Sequence, residues 1–412
     1  MKTFLKVVFS LLFCATCLNS HSQTPLQDSA AYRSILQITE QTRLQHAPDR
    51  RTALFELQPY DSVAAQYVII TTAPGAVAPF RQRLSDAGIP AAKVTINLLP
   101  DSSVSGYAAG VVHLSVANLR TQPRNQAELA SQVLLGTEVD LLQKKSGYYR
   151  IRTPEGYIGW LSASSVTPMS AAALGQWKAA DKLIFTGDFG HAYSEPDETS
   201  LRVSDLVMGD ILVKEGEQGE FIQVRYPDGR KAYVRRNLAS PFNEWLGTRK
   251  PDAENILTAA KTMMGLPYLW GGTSVKGVDC SGFTKTAYYM NGLIIPRDAS
   301  QQVLAGRHIE ILTEGKLDVA KALKNLKPAD LLFFASGKDR EPDARITHVA
   351  LYLGNGQFIH SAGTVRINSM LSDAPNYDDF QSRTLVAARR YIGETDPAVQ
   401  PMKDHHAYTF KP

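Results

Sequence analysis

An internal repeat in the middle of the chain constrains the fold more than any other feature of the sequence. The turn Pro154-Glu155-Gly156 recurs as Pro227-Asp228-Gly229, and the flanking residues of the two copies also align. Each copy has an apolar run, the turn, and a second run with an aromatic residue near its end, Trp160 in one copy and Tyr233 in the other. This pattern is typical of a β-hairpin. The repeat therefore predicts two small β-barrels in tandem, over residues 107–170 and 181–245.

The remaining sequence predicts further modules on both sides of the barrels. A chain of 412 residues exceeds what one hydrophobic core usually organises. Residues 24–105 combine helical patterns, at Tyr32 to Leu44 and Val77 to Ala87, with strand-like runs, which predicts a small α+β module. We interpret Pro241 to Asp252 as a linker into a last domain over residues 253–396.

The first residues have the pattern of a secretory signal. Lys2 and Lys6 precede an apolar run from Val7 to Leu18, and we expect cleavage after Ser22. The protein is then exported, to a periplasm or out of the cell; a lipoprotein anchor at Cys17 is the alternative. No other segment approaches the roughly 20 apolar residues of a membrane span.

Charge argues against a nucleic-acid partner. Residues 1–22 contain two lysines and no acidic residue, so their removal lowers the formal net charge of +4 to +2. Proteins that bind nucleic acids usually carry a much stronger basic surface.

Removal of the same segment leaves Cys280 as the single cysteine. A lone cysteine in an exported protein cannot form an intramolecular disulfide, so it is either an inert buried thiol or a nucleophile. Asp279 is placed to cap a helix that starts at Cys280, and Asn291-Gly292 is placed to end it. At a helix N-terminus the macrodipole favours a thiolate, so we expect a lowered pKa for Cys280.

Two histidines follow in a predicted β-hairpin with Gly354-Asn355-Gly356 at its turn. His348 and His360 lie 12 positions apart. A two-residue loop would pair residue 351 with residue 360 and send the two rings to opposite faces. A three-residue loop pairs residue 350 with residue 360 and brings the rings together, as a catalytic role requires.

The last domain closely resembles the NlpC-type family of papain-like cysteine peptidases, which act on murein peptides. The resemblance covers about 140 residues and is carried by five pieces in the expected order: Tyr268-Leu269-Trp270-Gly271-Gly272 with Asp279-Cys280-Ser281-Gly282-Phe283, Pro296-Arg297-Asp298, Ala329 to Phe334, Thr347-His348-Val349-Ala350, and Phe358-Ile359-His360. The tandem barrels resemble bacterial SH3 domains. Together these resemblances imply an α+β protein with a C-terminal papain-like catalytic domain, two bacterial SH3-type barrels and an N-terminal α+β module.

The resemblance also implies roles for individual residues. Cys280 is expected to be the nucleophile, His348 its general base and His360 the residue that orients His348. The backbone N–H of Cys280 and the Tyr268 hydroxyl are candidates for the oxyanion hole. Trp270 is expected to form a wall of the substrate groove, and Asp279 and Ser281 flank the nucleophile.

The domain order resembles a subgroup that releases dipeptides from free wall peptides with an unblocked N-terminal L-alanine. Such a substrate needs a carboxylate for its ammonium group. Asp298 is the matching candidate, followed here by Ala299 and then Ser300, where many relatives have serine directly after the aspartate. Glu128 and Tyr157 are the candidates from the first barrel; packing or solvent exposure is the alternative for both. Arg230 aligns with Tyr157, so the second barrel is not expected to line the site.

We therefore expect hydrolysis of the γ-D-glutamyl bond to L-lysine or diaminopimelate, between which the sequence does not choose, by a monomer without cofactor or metal. Three alternatives stay open: a lytic endopeptidase on intact peptidoglycan with the barrels as wall anchors, a wall-binding protein with an inactive catalytic domain, and an acyltransferase. Between nucleophile and base, residues 312–325 have partly helical spacing and are interpreted as a surface helical insertion.

Overall fold

The structure, a computed structural model, describes residues 30–63, 65–337 and 344–409. The predicted signal segment and Cys17 lie outside these residues. Within them, none of the helices has the length and apolar character needed to cross a membrane. The contacts divide the described residues into two units, one with residues 30–48 and Leu54–Asn97, the other with Asp49–Ala53 and the described residues from Leu98 onward.

The first unit is a small α+β module with a three-stranded sheet in the order β1-β2-β3. Its core contains Ile35, Phe55, Ile69 and Phe80, which are buried because the apolar faces of the helices cover the sheet. The predicted helices and strands are confirmed: α1 Ala30–His46, β1 Phe55–Leu57, β2 Tyr67–Thr71, α2 Val77–Asp86 and β3 Val94–Leu98.

The second unit begins with two β-barrels of identical topology. The first has β4 Ala109–Val112, β5 Val116–Arg120, β6 Leu129–Leu134, β7 Glu138–Lys145, β8 Tyr148–Arg152, β9 Ile158–Ser162 and β10 Val166–Met169. After α3 Ala171–Ala179, the second has β11 Lys182–Phe185, β12 Phe189–Tyr193, β13 Arg202–Val207, β14 Ile211–Gln218, β15 Phe221–Arg225, β16 Lys231–Arg235 and β17 Ala239–Pro241.

The sheet order shows that the sequence repeat is a structural repeat. The first barrel has the order β10-β4-β7-β8-β9-β5-β6, and the second has the corresponding strands in the same order, β17-β11-β14-β15-β16-β12-β13. Trp160 pairs with Arg150 across its hairpin, and Tyr233 pairs with Gln223 at the equivalent place. The predicted alignment of the two copies is therefore confirmed.

The segment predicted as a linker is partly a buried helix. Residues Phe242–Gly247 form α4, and Phe242 and Trp245 are buried in the same core as Ile256 and Tyr288. The two large aromatic side chains explain the difference, since their burial stabilises a helix that an exposed connection would not form.

The last part of the chain forms a six-stranded sheet in the order β21-β28-β24-β25-β26-β27, against which the helix that begins at Cys280 packs. Its elements are α5 Ala253–Thr262, β18 Thr273–Ser274, β19 Gly277–Val278, α6 Cys280–Tyr289, β20 Leu293–Ile294, α7 Ala299–Gln302, β21 Arg307–His308, β22 Leu312–Thr313, β23 Lys316–Leu317, α8 Val319–Asn325, β24 Leu331–Phe334, β25 His348–Gly354, β26 Gln357–Ala362, β27 Thr364–Ser369, α9 Asp379–Thr384, β28 Leu385–Arg390 and β29 Gln400–Pro401.

The predicted helical insertion is helical only in its second half. Residues 312–317 form the hairpin β22–β23, whose turn contains Glu314 and Gly315 with positive φ. The helix α8 starts after Asp318, whose side chain accepts a hydrogen bond from the Lys321 backbone N–H at 2.9 Å. The turn and the cap together break the helical pattern that spacing alone suggested.

Candidate active site

Cys280 is the first residue of α6, as predicted. The Asp279 side chain caps the helix by accepting a hydrogen bond from the Gly282 backbone N–H at 2.6 Å. Gly282 also lets the helix approach the preceding loop, because a Cβ there would meet the Gly272 carbonyl oxygen at 1.9 Å. The helix ends before Asn291 and Gly292, and φ of Gly292 is +78°. Local sequence thus fixes both ends of the helix that presents the thiol.

The electrostatics around the thiol differ from the expectation. Burial raises the pKa of Cys280 to about 12, and the negative charge of Asp279 adds to the rise. The Val349 and Ser281 backbone N–H groups and the Arg297 charge act in the opposite direction without reversing it. The predicted lowering of this pKa by the helix macrodipole is therefore wrong, because burial outweighs it.

The structure brings His348 and His360 together. Their Nε2 and Nδ1 atoms, respectively, lie 2.7 Å apart. The hairpin turn itself has two residues, Asn355 and Gly356, between Gly354 and Gln357, but a bulge shifts the register so that Leu351 pairs with Ile359. The strand pairing therefore agrees with the one predicted for a three-residue loop, although a two-residue turn and a bulge produce it.

Asn368 on β27 extends the hydrogen bonding of the two histidines, a role that the sequence did not reveal. Its Oδ1 lies 2.9 Å from Nε2 of His360 and 3.0 Å from Nε of Arg366. Arginine only donates, so the atom that both residues contact is the amide oxygen. His360 therefore carries its proton on Nε2, its Nδ1 accepts from Nε2 of His348, and Nδ1 of His348 is left as a proton acceptor.

Burial favours the neutral form of both imidazoles. Burial, followed by the charges of His360 and Arg366, lowers the pKa of His348 to about 3, although part of the residue still reaches solvent. Burial also lowers the pKa of His360 to about 4, against the hydrogen bond that His360 donates to Asn368, which raises it. A neutral imidazole is a proton acceptor in the state that a general base requires.

Asp279 is held by a buried arginine. Arg297 is 1% exposed and donates to both Asp279 carboxylate oxygens, at 2.7 and 3.1 Å. It also donates to the Ser281 hydroxyl at 3.0 Å and to the hydroxyl of Ser131, in the first barrel, at 2.8 Å. Asp279 and Ser281 line the site, and their side chains are engaged in holding the nucleophile's helix against the barrel.

A cavity of about 490 Å³ lies over the thiol. This volume suits a small peptide, since ligand pockets commonly measure about 300–1,000 Å³. It collects side chains from the catalytic domain, the first barrel and the segment Asp49–Ala53. The lining contains nine of the predicted site residues, Cys280, Tyr268, Trp270, Asp279, Ser281, Asp298, Ser300, Glu128 and Tyr157, together with Arg51, Thr121, Ala130, Gly271, Ala299, Arg345, Ile346 and Thr347.

The first barrel reaches the cavity through Glu128 and Tyr157. The Trp270 indole N–H donates to Oε1 of Glu128 at 2.8 Å, and the Tyr157 hydroxyl donates to Oδ2 of Asp298 at 3.3 Å. Arg230, the counterpart of Tyr157 in the second barrel, instead donates to the His113 carbonyl oxygen at 2.9 Å. Within the described ranges, the cavity lining contains residues of the first barrel and none of the second.

The barrel is also docked through backbone. Gln132 accepts from the Thr273 backbone N–H at 3.0 Å. Gly271, with φ +77°, packs so closely that a Cβ there would meet the Leu129 carbonyl oxygen at 2.4 Å. The position of Trp270 in the cavity lining therefore depends on the position of the first barrel.

Arg51 is a second residue that the sequence did not reveal. Its Nη1 donates to Oδ2 of Asp298 and to the hydroxyl of Ser300, both at 2.8 Å. Arg51 lies in an irregular segment with no motif around it and 247 positions before Asp298, so no sequence pattern indicates this contact.

Tyr268 lines the cavity with its phenol neutral. Burial, together with the charges of Cys280 and Asp279, raises its pKa above the usual range, so its hydroxyl keeps a proton to donate. Among the described residues, no group of three or more His, Cys, Asp or Glu side chains is arranged to hold a metal ion.

Comparisons with known sequences agree with this architecture. The profile of the NlpC/P60 family matches residues 265–386, and that of the bacterial dipeptidyl-peptidase SH3 domain matches residues 119–166. A gamma-D-glutamyl-L-lysine dipeptidyl-peptidase of Bacillus cereus is 31% identical over 284 residues, which cover 65% of this chain and 77% of that protein. Dipeptidyl-peptidase 6 of Lysinibacillus sphaericus is 28% identical over 286 residues, which cover 67% and 97%.

A solved structure supports the fold. The crystal structure of an NlpC/P60 family protein from Bacillus cereus superposes with a TM-score of 0.54 and covers 69% of this chain and 99% of its own. At 24% identity, it bears on the fold alone. The predicted resemblance to NlpC-type peptidases with a bacterial SH3 domain and the predicted fold class are confirmed.

Proposed function

The chain belongs to the NlpC/P60 family of cysteine peptidases, and from this premise we propose that it hydrolyses the γ-D-glutamyl-L-diamino acid bond of murein peptides with an unblocked N-terminal L-alanine. The observation that carries the proposal is the cavity in which the Cys280 thiol and the Asp298 carboxylate share one wall with Tyr157 and Glu128 of the first barrel. The proposed nucleophile and the proposed amine acceptor thus line the same cavity.

The chemistry follows from the protonation states. Neutral His348 accepts the thiol proton on Nδ1 while the Cys280 sulfur attacks the γ-carbonyl carbon of the glutamyl residue. The carbonyl electrons move to oxygen, which accepts hydrogen bonds from the backbone N–H of Cys280 and from the Tyr268 hydroxyl. As the first residue of α6, Cys280 has an N–H without a partner inside the helix.

Collapse of this intermediate breaks the amide bond. His348, now protonated, gives its proton to the leaving α-amine of the diamino acid, and a thioester remains on Cys280. Water then attacks the thioester with His348 again as base, which releases L-Ala-D-Glu and restores the thiol. His360 holds the ring of His348 through both steps by its 2.7 Å hydrogen bond.

Substrate choice rests on Asp298. Its carboxylate accepts hydrogen bonds from Arg51 and Tyr157 through Oδ2, and a carboxylate has about four acceptor positions in all. A substrate ammonium can therefore bind without displacing either residue. The name of the Bacillus cereus relative, gamma-D-glutamyl-L-lysine dipeptidyl-peptidase, supports this substrate class. Peptides of this kind are products of wall breakdown, which makes recycling the proposed role.

We also propose that the mature protein acts outside the cytoplasm as a monomer. The basic start and apolar run of residues 1–22 support export. N-terminal sequencing of secreted or periplasmic protein, with Gln23 as the expected first residue, tests the cleavage position.

Mass spectrometry tests the activity. Mature protein is incubated with L-Ala-γ-D-Glu-L-Lys, with the diaminopimelate peptide, and with the N-acetylated form of each. We expect L-Ala-D-Glu from the free-amine peptides alone. Cys280→Ala and His348→Ala are expected to lower the rate by on the order of 10⁴-fold or more.

Other outcomes identify the alternatives. Equal cleavage of acetylated and free peptides contradicts the amine subsite, and solubilisation of purified sacculi in preference to free peptide indicates a lytic endopeptidase. Capture of the acyl group by an added amine faster than by water indicates an acyltransferase. Peptide binding without turnover indicates a binding protein.

A further inference from the structure

Arg51 connects two carboxylates across the wall of the cavity. Its Nε and Nη2 donate to the two oxygens of Asp49, each at 2.8 Å, while Nη1 donates to Asp298 and Ser300. Asp49 also accepts from Nε2 of Gln301 at 2.8 Å. The guanidinium is thus held by hydrogen bonds on two sides, by Asp49 on one and by Asp298 and Ser300 on the other. The planar arrangement of its N–H groups favours this geometry.

The backbone of Arg51 is fixed as well. Its carbonyl oxygen accepts from the Ile158 backbone N–H at 2.6 Å, next to Tyr157. Arg51 therefore contacts the first barrel and the start of α7 at once. The Arg51 side chain is 28% exposed and that of Asp298 26%, so the ion pair is only partly solvated.

The charges of this cluster leave Asp298 suited to a cation. Arg51 is shared between Asp49 and Asp298. Nη1 of Arg297 lies 3.9 Å from Oδ1 of Asp298, but Arg297 is itself paired with Asp279, so these five residues together carry one negative charge. A pair of Arg51 and Asp298 alone would be neutral and would attract an ammonium group less strongly. Asp49 therefore preserves the attraction of the cavity wall for one positive charge.

Arg51 lines the cavity and does not fill it. The cavity over Cys280 has its volume of about 490 Å³ with the Arg51 side chain in place among the lining residues. Four of the five guanidinium N–H groups are used by Asp49, Asp298 and Ser300, which argues against a role in binding a substrate carboxylate.

We propose that Arg51, held by Asp49, is a positioning residue that fixes Asp298 for the N-terminal ammonium of the substrate and thereby sets the preference for unblocked peptides. This inference rests on the proposed function. It gives the segment Asp49–Ala53 a part in substrate selection. Arg51 acts through its hydrogen bond to Oδ2 of Asp298 and does not contact the reacting atoms.

Steady-state kinetics of the mature full-length protein test the proposal. The substrates are L-Ala-γ-D-Glu-L-Lys and its N-acetylated form. Arg51→Met is expected to raise KM for the free-amine peptide by about tenfold, the scale of one charge-assisted hydrogen bond, with kcat changed by less than about threefold. Because Arg51 does not contact the reacting atoms, the effect falls on KM. Arg51→Lys, which keeps the charge but not the fork, is expected to restore part of the loss.

Arg152→Met is the matched control. Arg152, on the first barrel, also forms an ion pair, 3.4 Å from Asp140, but it does not line the cavity. The KM of the Arg152→Met variant for both peptides is expected to stay at the wild-type value. Alkylation of Cys280 by iodoacetamide at the wild-type rate in Arg51→Met establishes that the nucleophile remains correctly folded.

A double-mutant cycle separates positioning from general stability. Arg51→Met is expected to change KM by less than about twofold in an Asp298→Asn background, because Arg51 acts through Asp298. A full tenfold effect in that background contradicts the proposal.

The outcomes distinguish this inference from the proposed function. If the wild-type protein does not discriminate between free and acetylated peptides, the amine subsite fails and the role of Arg51 fails with it. If the wild type discriminates and Arg51→Met discriminates equally well, only the inference on Arg51 is wrong. A lower KM in Arg51→Met also overturns it, because Arg51 would then compete with the substrate for Asp298.

Discussion

Nε2 of His348 lies 2.7 Å from Nδ1 of His360, and this contact determines which nitrogen of His348 is free to accept a proton. Since the Asn368 oxygen fixes the proton of His360 on Nε2, His348 must donate through its own Nε2. The order of donors and acceptors thus starts at an amide on β27 and ends at Nδ1 of His348, the proton acceptor that we propose for the Cys280 thiol.

The first prediction concerns this amide. Asn368→Leu is expected to lower kcat by about 10- to 100-fold with little change in KM, because the tautomer of His360 is no longer specified. The measurement is steady-state hydrolysis of the free-amine tripeptide. Asn325→Leu, at a half-buried position where the amide donates to the Glu310 carbonyl oxygen, is the control. Equal kcat in Asn368→Leu and wild type would show that Asn368 does not order the two rings.

The second prediction follows from the raised pKa of Cys280. In the substrate-free protein, alkylation by iodoacetamide is expected to be slow near pH 7 and to rise still between pH 9 and 10, since the thiol loses its proton only in the alkaline range. An ordinary thiol, with a pKa of about 8.5, approaches its plateau there. Mature protein has no other cysteine, so the label reports one site. A plateau reached by neutral pH would instead indicate a resting thiolate.

The third prediction is a loss of stability in mild acid. The pKa values of His348 and His360 are lowered from 6.5 to about 3 and 4, so below pH 6.5 the unfolded chain binds protons that the folded protein does not. Stability therefore falls as pH falls from 6.5, until the pKa of each folded group is reached. Between pH 6.5 and 5, each histidine is expected to lower the free energy of unfolding by about 2 kcal/mol.

Urea unfolding at several pH values measures this loss. The double variant His348→Gln with His360→Gln is the comparison, and its stability is expected to depend less on pH in the same window. Identical slopes for variant and wild type would contradict the prediction.

The fourth prediction concerns the docking of the first barrel. Gly271 and Gly265 have nearly equal positive φ, +77° and +79°, but a Cβ would meet neighbouring atoms within 4 Å only at Gly271, where it would contact the Leu129 backbone and side chain. Gly265→Ala is expected to cost about 1–2 kcal/mol from backbone strain. Gly271→Ala is expected to cost a further 1–3 kcal/mol, roughly, from the clash, and to raise KM as Trp270 moves away from Glu128.

Thermal unfolding and kinetics of the two glycine variants provide the measurement. The difference between them isolates the barrel contact, because the strain is common to both. Equal stability and equal KM would mean that the barrel does not hold the tryptophan wall.

Local patterns predicted much of this structure. Capping by Asp279 and the stop at Asn291-Gly292 predicted the helix of the nucleophile, and the Pro-acid-Gly turns predicted paired hairpins. The histidine register could only be stated as two alternatives, because a bulge near Leu353 is not visible in the spacing of residues.

Contacts between distant segments could not be predicted in this way. Arg51 lies in an irregular segment and Asn368 on β27, and neither residue is part of a recognisable sequence motif. The thiol pKa was predicted with the wrong sign because a sequence identifies the helix end but not the depth of burial. The aromatic residues of α4 resemble part of a connection in the sequence because their burial partners lie elsewhere in the chain.

The five residues Asp49–Ala53 belong to the second unit although the chain on both sides of them belongs to the first. For protein evolution, this means that the N-terminal module cannot be exchanged without also replacing a part of the second unit. A recombination event that joined a foreign sequence at Leu98 would keep both barrels, the nucleophile and both histidines, yet it would delete Arg51 from the cavity wall. Descendants of such an event would inherit Cys280, His348 and His360 without the residue that we propose to position Asp298.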